Sequence, residues 1–336
     1  MVLSFAIVSD SVKKTLGGIE NHSYILYNLL YAHGYEVSMI DYRQLRTKKV
    51  RDFDIVIIEG IHRSKLLKIL TMRKRNTIIL FTHGSFYLNS PLRKGLRKYD
   101  LTKHQAFKLL FDKVLMKMIL NKFDNIITLS GAESRDLSTL FGIEAGKLSD
   151  LEVFSDELDE QYPLAKNEPK FRYREYLCYV GRLDYRKNLT SLLEASRRLD
   201  IPLFIAGQDQ GVLPELQMYC KVNNFNKFLY LGKISKEEKI MLMRNSLLIV
   251  IPSFFEGMPL TAVEGIKLGK NVVMTCNSYM GKHPCVHLSE PDPDSLVSAI
   301  KKSLNFGNCS AGFISNEEIF YRFINVVNRV LNKKLR

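Results

Sequence analysis

The chain has 336 residues, with 49 Lys and Arg against 35 Asp and Glu and a formal net charge of +14. Apolar residues at 46% and charged residues at 25% match globular averages, which excludes disordered and fibrous classes; at about 150 residues per domain, the length predicts two domains. Apolar runs such as LLIVI and DIVIIEG fall far short of the ~20 residues of a membrane-spanning helix. The first residues, MVLSFAIVSDS, lack a cation before their apolar stretch and read as a strand rather than a signal peptide.

Strand-like and helix-like segments alternate twice along the chain. A β-branched strand at 3–9 leads through Gly17-Gly18 into an amphipathic helix near 18–32, and further strands are predicted at YEVSMID, DIVIIE, TIILFT and NIITLS. The pattern restarts at EYLCYVG (175–181), with strands at PLFIAG, FLYLG, LLIVI and KNVVMT and helices near 187–199, 235–245 and 258–268. Such alternation predicts parallel sheets covered by helices, an α/β class of two Rossmann-like domains. The predicted boundaries are 1–155, a linker at 156–174 with two prolines and no period, 175–315, and a terminal helix at 316–336 directed back toward the first domain. In that helix Ile319, Phe323, Val326, Val327, Val330 and Leu331 fall at helical spacing.

Charge and cysteines add two further expectations. Residues 1–150 carry 24 Lys and Arg against 14 Asp and Glu, whereas the remaining 186 carry 25 against 21. A basic first half predicts an anionic partner, against the simpler reading of solvated lysine faces. Within 91–122, Phe107, Leu110, Phe111, Val114, Leu115 and Met118 fall at helical spacing among lysines, which suits either a membrane-interface helix or a core helix. Cys178, Cys220, Cys276, Cys285 and Cys309 are scattered singly, an odd count that argues against disulfides and a zinc site and fits the cytoplasm.

The chemistry concentrates in SFFEGMPLTAVE. A buried strand feeds a short loop, and Pro259 stands where a helix would begin, as its preset φ favours. The amides of Leu260 and Thr261 then point out of the helix start toward an anion. Gly257 allows close backbone approach, while Glu256 precedes the helix and Glu264 lies in its second turn. Gly181-Arg182-Leu183 ends another strand, and Lys187-Asn188 follows. Ligands of open α/β sheets gather at the carboxyl ends of strands, so Arg182 and Lys187 share a rim with Glu256 and suit a diphosphate. Solvated side chains on a surface helix are the competing reading.

GRLxxxKN followed by FEGMPLTAVE, with seven residues between the glutamates, resembles glycosyltransferase family 4 over essentially the whole chain. The resemblance implies a GT-B fold, two Rossmann-like domains facing across a cleft, and a retaining transferase that uses a nucleotide-diphosphate sugar. It further implies that Glu264 holds the donor ribose and Glu256 the sugar hydroxyls, while Arg182 and Lys187 neutralise the diphosphate. The resemblance implies too that the backbone at Gly257, Met258, Leu260 and Thr261 lies along sugar and phosphate and that Ile234 of LGKI touches the base. Gly17 and Gly18 match the loop beside the donor phosphates, where a plain tight turn is the alternative. His83 of FTHG matches a histidine that touches the transferred sugar, where a packed structural histidine is the alternative.

The chain departs from the family pattern at Val153–Glu157 and at Ala206-Gly207-Gln208-Asp209-Gln210-Gly211, which leaves acceptor contacts open. Asp52-Phe53-Asp54 precedes its strand rather than following it and reads as a solvated turn, so neither metal nor cofactor is expected. Asp292 reads as a helix cap. With a single carboxylate in the motif, retention implies front-face attack rather than double displacement. The expected acceptor is a glycan or a lipid-linked glycan, with a cytoplasmic enzyme peripheral to an anionic membrane. A DNA-modifying glucosyltransferase and a catalytically silent nucleotide-sugar-binding protein are the alternatives; no nucleic-acid-reading module stands out.

Overall fold

The computed structural model describes residues 2–9, 18–45, 50, 52–61, 68–69, 76–83, 113–155, 175–278, 280, 282–307, 309 and 312–334. Two compact units emerge, one built from Met1–Asp156, Tyr279–Gly281 and Ile314–Arg336 and the other from Glu157–Ser278 and Lys282–Phe313. The linker expected at 156–174, Gly17, and most of 91–122 lie outside the described residues.

In the first unit, β1 (Ser4–Ser9), β2 (Glu36–Asp41), β3 (Ile55–Glu59), β4 (Thr77–Phe81), β5 (Asn125–Thr128) and β6 (Leu148–Asp150) form one parallel sheet in the order β2-β1-β3-β4-β5-β6. Runs such as IVIIE and TIILF are buried on both faces, which is why they show no polar alternation. Helices α1 (Gly18–Ala32) and α2 (Gly131–Phe141) connect strands of this sheet. The terminal helix, labelled α8 below, belongs to this unit. It seats Ile319, Phe320, Phe323, Val326, Val327 and Val330 against Phe5, Ile7 and Phe81, while Leu331 is only partly covered. Asn316 at its start exchanges two hydrogen bonds with the backbone of Ser155.

The second unit repeats the design with β7 (Leu177–Val180), α3 (Leu189–Leu199), β8 (Leu203–Ala206), α4 (Leu213–Val222), β9 (Phe228–Tyr230), α5 (Lys236–Arg244), β10 (Leu248–Ile251), α6 (Leu260–Lys267), β11 (Val272–Thr275), β12 (Val286–Ser289) and α7 (Pro293–Leu304); α8 (Asn316–Lys334) then closes the chain. The sheet order is β12-β11-β10-β7-β8-β9, all parallel. Strand order therefore reverses between β7 and β10, and the loops after those strands leave the sheet in opposite directions. A crevice at such a switch point is where open α/β sheets hold ligands. Asp292 caps α7 by accepting from the Ser295 amide at 2.9 Å, with Pro293 in the first helical turn.

Three expectations are corrected. Cys285 and Cys309 form a disulfide, with Cα atoms 5.3 Å apart. The Cys309 amide donates to the Gly269 carbonyl at 3.0 Å, bringing the tail after α7 beside β12, a proximity that a separation of 24 residues does not reveal. The cytoplasmic expectation drawn from unpaired cysteines thus loses its support. Asp54 is not a solvated turn residue: its carboxylate accepts from the amide and hydroxyl of Ser4 at 2.9 and 2.8 Å, stapling the amino edge of β3 to β1. The 91–122 stripe also divides. Residues 113–120 are helical, but Met116, Ile119 and Leu120 enter the core, whereas Val114 and Met118 are exposed beside Lys113 and Lys117.

Candidate functional site

In the second unit the chain leaves β7 through Gly181, and β10 delivers the opposing loop. Asp184 and Asn188 shape the first loop. The Asp184 carboxylate accepts from the Arg186 amide at 2.9 Å, closing a single turn at Tyr185–Lys187. Burial would raise the Asp184 pKa, but hydrogen bonds and attraction from Arg186 and Lys187 hold it below the usual carboxylate range. Asn188 is left-handed at φ 52°, and its buried amide donates to the carbonyls of Pro252 and Pro291 at 3.1 and 3.0 Å. Asn188 therefore ties the Lys187 loop to the loop after β10, and the Phe254 amide adds a bond to the Arg186 carbonyl at 2.8 Å.

This stapling brings Lys187 onto Glu256, where its ammonium donates to Oε1. Ser253 donates to the same oxygen at 2.6 Å, and the Glu256 amide is held by the Asn277 carbonyl at 3.0 Å. Both partners of the ion pair are mostly but not fully buried, so water screens the pair only partly. Arg182 does not join it. The Arg182 side chain is exposed with no partner among the described residues, while its carbonyl accepts from Tyr179 Oη at 2.8 Å. Burial raises the Tyr179 phenol well above its ordinary pKa, so it stays a donor.

Pro259 takes the N-cap position rather than the first helical one, with φ −72° and ψ 116°. Its carbonyl accepts from the Ala262 and Val263 amides, leaving those of Leu260 and Thr261 without partners among the described residues. Both belong to half-buried residues at the positive end of the helix dipole. The Thr261 hydroxyl donates to the Val180 carbonyl at 3.1 Å, fixing the helix start against the end of β7. Gly257 is buried and Met258 half-buried. Glu264 is only 3% exposed and pairs with Lys239 of α5 at 2.6 Å, so it is held from its own unit's interior rather than left free on the helix. Ile234, half-buried, directly precedes the capping box formed by Ser235 and Glu238.

Gly181, Gly207 and Gly232 follow the carboxyl ends of three adjacent strands, β7, β8 and β9. Gly181 donates to the Ala206 carbonyl, and Gly207 to the Gly232 carbonyl at 2.7 Å. The altered turn at 206–211 has its own logic. Asp209 accepts from the amides of Gly211, Val212 and Leu213 at 3.1, 2.9 and 3.0 Å, a carboxylate closing the start of α4.

A second cluster lies at the carboxyl rim of the first unit. His83 Nε2 is 2.5 Å from Glu59 Oε2, and His22 Nδ1 approaches the same oxygen at 3.2 Å without the alignment of a hydrogen bond. Burial would raise the Glu59 pKa, but attraction from His22 and His83 and the hydrogen bond from His83 hold the carboxyl at about 2. Burial also lowers the pKa of His22, against the pull of Glu59. The three ligand-type atoms lie within 4.8 Å of one another. The approach of His83 Nε2 to Glu59 Oε2 is that of a hydrogen-bonded pair. Neither His22 nor Glu59 was read from the sequence; the available signal was an acid closing the apolar strand IVIIE. Gly18 opens α1 in this unit.

Beside His83, Thr82 donates to Glu133 at 2.8 Å, and the Leu129 amide donates to the same oxygen at 2.8 Å. Burial nevertheless raises the Glu133 pKa from 4.5 to about 7. A native value above the unfolded one favours folding fully below pH ~4.5, and that contribution is lost as pH rises to ~7. Glu133→Gln therefore flattens the pH dependence of unfolding across this window and gains about 3 kcal/mol at pH 8. Urea denaturation at pH 5 and pH 8 measures it, and an unchanged pH slope in the variant contradicts it.

Residues 163–316 match the model of the family described as Glycosyl transferases group 1. Glycogen synthase of Mycobacterium tuberculosis is 28% identical over 200 residues, 56% of this chain and 47% of that protein. The matched stretch spans less than half the length of these curated relatives, 47% of the glycogen synthase and 35% of the D-rhamnosyltransferase WbpZ of Pseudomonas aeruginosa. Sucrose-phosphate synthase from Thermosynechococcus elongatus superposes with a TM-score of 0.72 at 16% identity, over 98% of this chain and all of that one. Anabaena HepE, solved with UDP and glucose, superposes with a TM-score of 0.66 at 15% identity, over 90% of both chains. The two parallel six-stranded sheets with their helices are the GT-B fold.

Proposed function

We propose, from the glycosyltransferase family match of residues 163–316, that the chain is a retaining hexosyltransferase that draws on a nucleotide-diphosphate sugar. The observation that carries this reading is the pairing of Lys187 with Glu256 at the β7/β10 switch point, beside the amides of Leu260 and Thr261, which have no partner among the described residues. A diphosphate entering there meets the Lys187 ammonium, the free Arg182 guanidinium and the two amides. The Glu256 carboxylate is left to accept from sugar hydroxyls, and Glu264, steadied by Lys239, from the ribose. Ile234 lies along the base, and His83 meets the transferred sugar.

In the reaction the bond from the anomeric carbon to the diphosphate oxygen breaks and the acceptor oxygen bonds to the same face. The acceptor proton passes to the departing phosphate. Preorganised cations and amides stabilise the charge that grows on that phosphate, generally the largest catalytic contribution. No step calls for a metal. The acceptor is a glycan or lipid-linked glycan; the exposed Val114 and Met118 among Lys113 and Lys117 suit an enzyme that works at an anionic lipid surface. No helix among the described residues is long and apolar enough to cross a membrane.

A thermal-shift screen against UDP-, GDP- and ADP-sugars, followed by NMR of the product anomer, tests the proposal. A saturating donor raises the melting temperature by mass action, since it binds the native state alone. Stabilisation by one nucleotide class and an α-linked product from an α-linked donor are expected; no stabilisation by any of them, or an inverted product, sinks it. Flotation with anionic and neutral vesicles tests the membrane clause, which falls if neither is bound.

A further inference from the structure

Buried acids are expensive to keep ionised, and Glu59 is an ionised acid with almost no exposure. Among the described residues its Oε1 has no hydrogen-bond partner, and its Oε2 is shared by two histidines, only one of them aligned to donate. The fold itself asks for nothing charged here. The position ends β3 in register with Phe81 of β4, and the other strand residues in this layer are apolar. A neutral amide would satisfy the local geometry as well. The charge therefore points to a use beyond folding.

That use is visible in the backbone of His83. The residue follows β4 by two positions and is left-handed, at φ 51°, a conformation uncommon for a residue with a Cβ. The turn folds the ring back over the end of β3 and onto Glu59. The flanking groups hold that posture. Gly60, at φ 69°, carries the chain away from Glu59, and its carbonyl accepts from Tyr42 Oη. Thr82 is anchored on Glu133, and the His83 ring stands edge-on to His22 at 4.7 Å. With the carboxylate ionised, the proton between the two groups belongs to Nε2, so Nδ1 is the ring nitrogen left for a ligand. The charged and titratable groups facing His83 are Glu59 from β3, His22 from α1 and Glu133 from α2.

We propose that Glu59 is a positioning residue that fixes both the orientation and the tautomer of His83, with His22 as the packed wall behind it. The inference rests on the reading in which His83 touches the transferred sugar. A sugar hydroxyl then meets Nδ1 aimed in one direction, rather than a ring free to rotate or to exchange tautomers. A small loss of alignment at such a contact is enough to reduce turnover strongly while donor affinity, set in the other unit, stays nearly unchanged.

Glu59→Gln and Glu59→Asp in the full chain test this. Glu59→Gln keeps an acceptor oxygen for the His83 ring, and circular dichroism with thermal melting establishes that it is folded before its kinetics are read. Its kcat should fall roughly 30- to 100-fold with donor KM within about threefold, and Glu59→Asp should recover to within about tenfold of wild type. Histidine ¹⁵N NMR, at a pH where the ring is neutral, should show His83 as one Nε2-protonated tautomer in the wild type and a mixture in Glu59→Gln. Unchanged kcat together with an unchanged single tautomer in Glu59→Gln overturns the proposal, as does a donor KM that rises in proportion to the loss in kcat. Full activity in His83→Ala instead removes the sugar-contact reading, and the NMR comparison still decides whether Glu59 sets the tautomer.

Discussion

Replacing Lys187 with alanine lowers turnover of the nucleotide-sugar donor at least a hundredfold, and Arg182→Ala and Glu256→Ala follow with losses on the same order. Removing one preorganised donor from a site of developing negative charge typically removes ~2.7–4 kcal/mol of transition-state stabilisation, or a hundred- to a thousandfold in rate. Lys187 is the most exposed to this effect because the loop around it is rigid. Asp184 closes its turn, Asn188 ties that turn to the prolines beyond β10 and β12, and Ser253 and the Asn277 carbonyl hold its partner Glu256. The ammonium is thus already in place before a diphosphate arrives, and its removal also leaves the Glu256 carboxylate with a single hydroxyl donor. Arg182 gives the cleaner measurement of charge alone, since its exposed side chain has no partner among the described residues. Steady-state kinetics on folded variants, checked by circular dichroism, measure all three. Near-full activity in every variant would mean that the β7/β10 crevice is not where the donor reacts.

Gly207→Ala destabilises the second unit by on the order of 4 kcal/mol, summing a strained backbone and an overpacked contact. Gly207 has φ 143°, a value that residues with a side chain rarely adopt. A Cβ there would stand 1.8 Å from the Gly181 carbonyl oxygen and 2.6 Å from its carbon. Those are backbone atoms, held in place by the bond from the Gly181 amide to the Ala206 carbonyl, so the clash is relieved only by separating the ends of β7 and β8. Gly211→Ala serves as the comparison. It is also at positive φ, 100°, but a Cβ there meets open space, so its cost is limited to backbone strain of about 1–2 kcal/mol. Urea denaturation of the two variants separates the contributions; equal losses would show that close approach of the strands contributes nothing. The same displacement would shift the loop that carries Arg182 and Lys187 from the end of β7, so Gly207→Ala should also lose donor turnover.

Several features were legible because they rest on local rules. Buried parallel strands are continuous β-branched runs, and IVIIE, TIILF, LIVI and VVMT announce themselves without any tertiary information. The terminal helix shows its buried face by spacing, and Asp292-Pro293 its cap by side-chain chemistry. Pro259 was one position off, because a proline before a helix suits the cap as well as the first turn. The short strands Leu148–Asp150 and Val286–Ser289 went unread: three or four residues give too little periodicity, and their sheet neighbours supply the order.

By itself, the order of residues determined the doubled α/β plan and the pair of motifs around Arg182-Lys187 and Glu256-Glu264, because hydrophobic period and turn chemistry act within a dozen residues. Tertiary structure alone decided which of those groups touch. Lys187 meets Glu256 across 69 positions, Cys285 meets Cys309, Asp54 reaches Ser4, and Glu59 gathers His22 and His83 from separate elements. Such contacts depend on strand order and on where each chain segment leaves its sheet. Side-chain pairing is a property of distance in space, and spacing along the chain does not carry it.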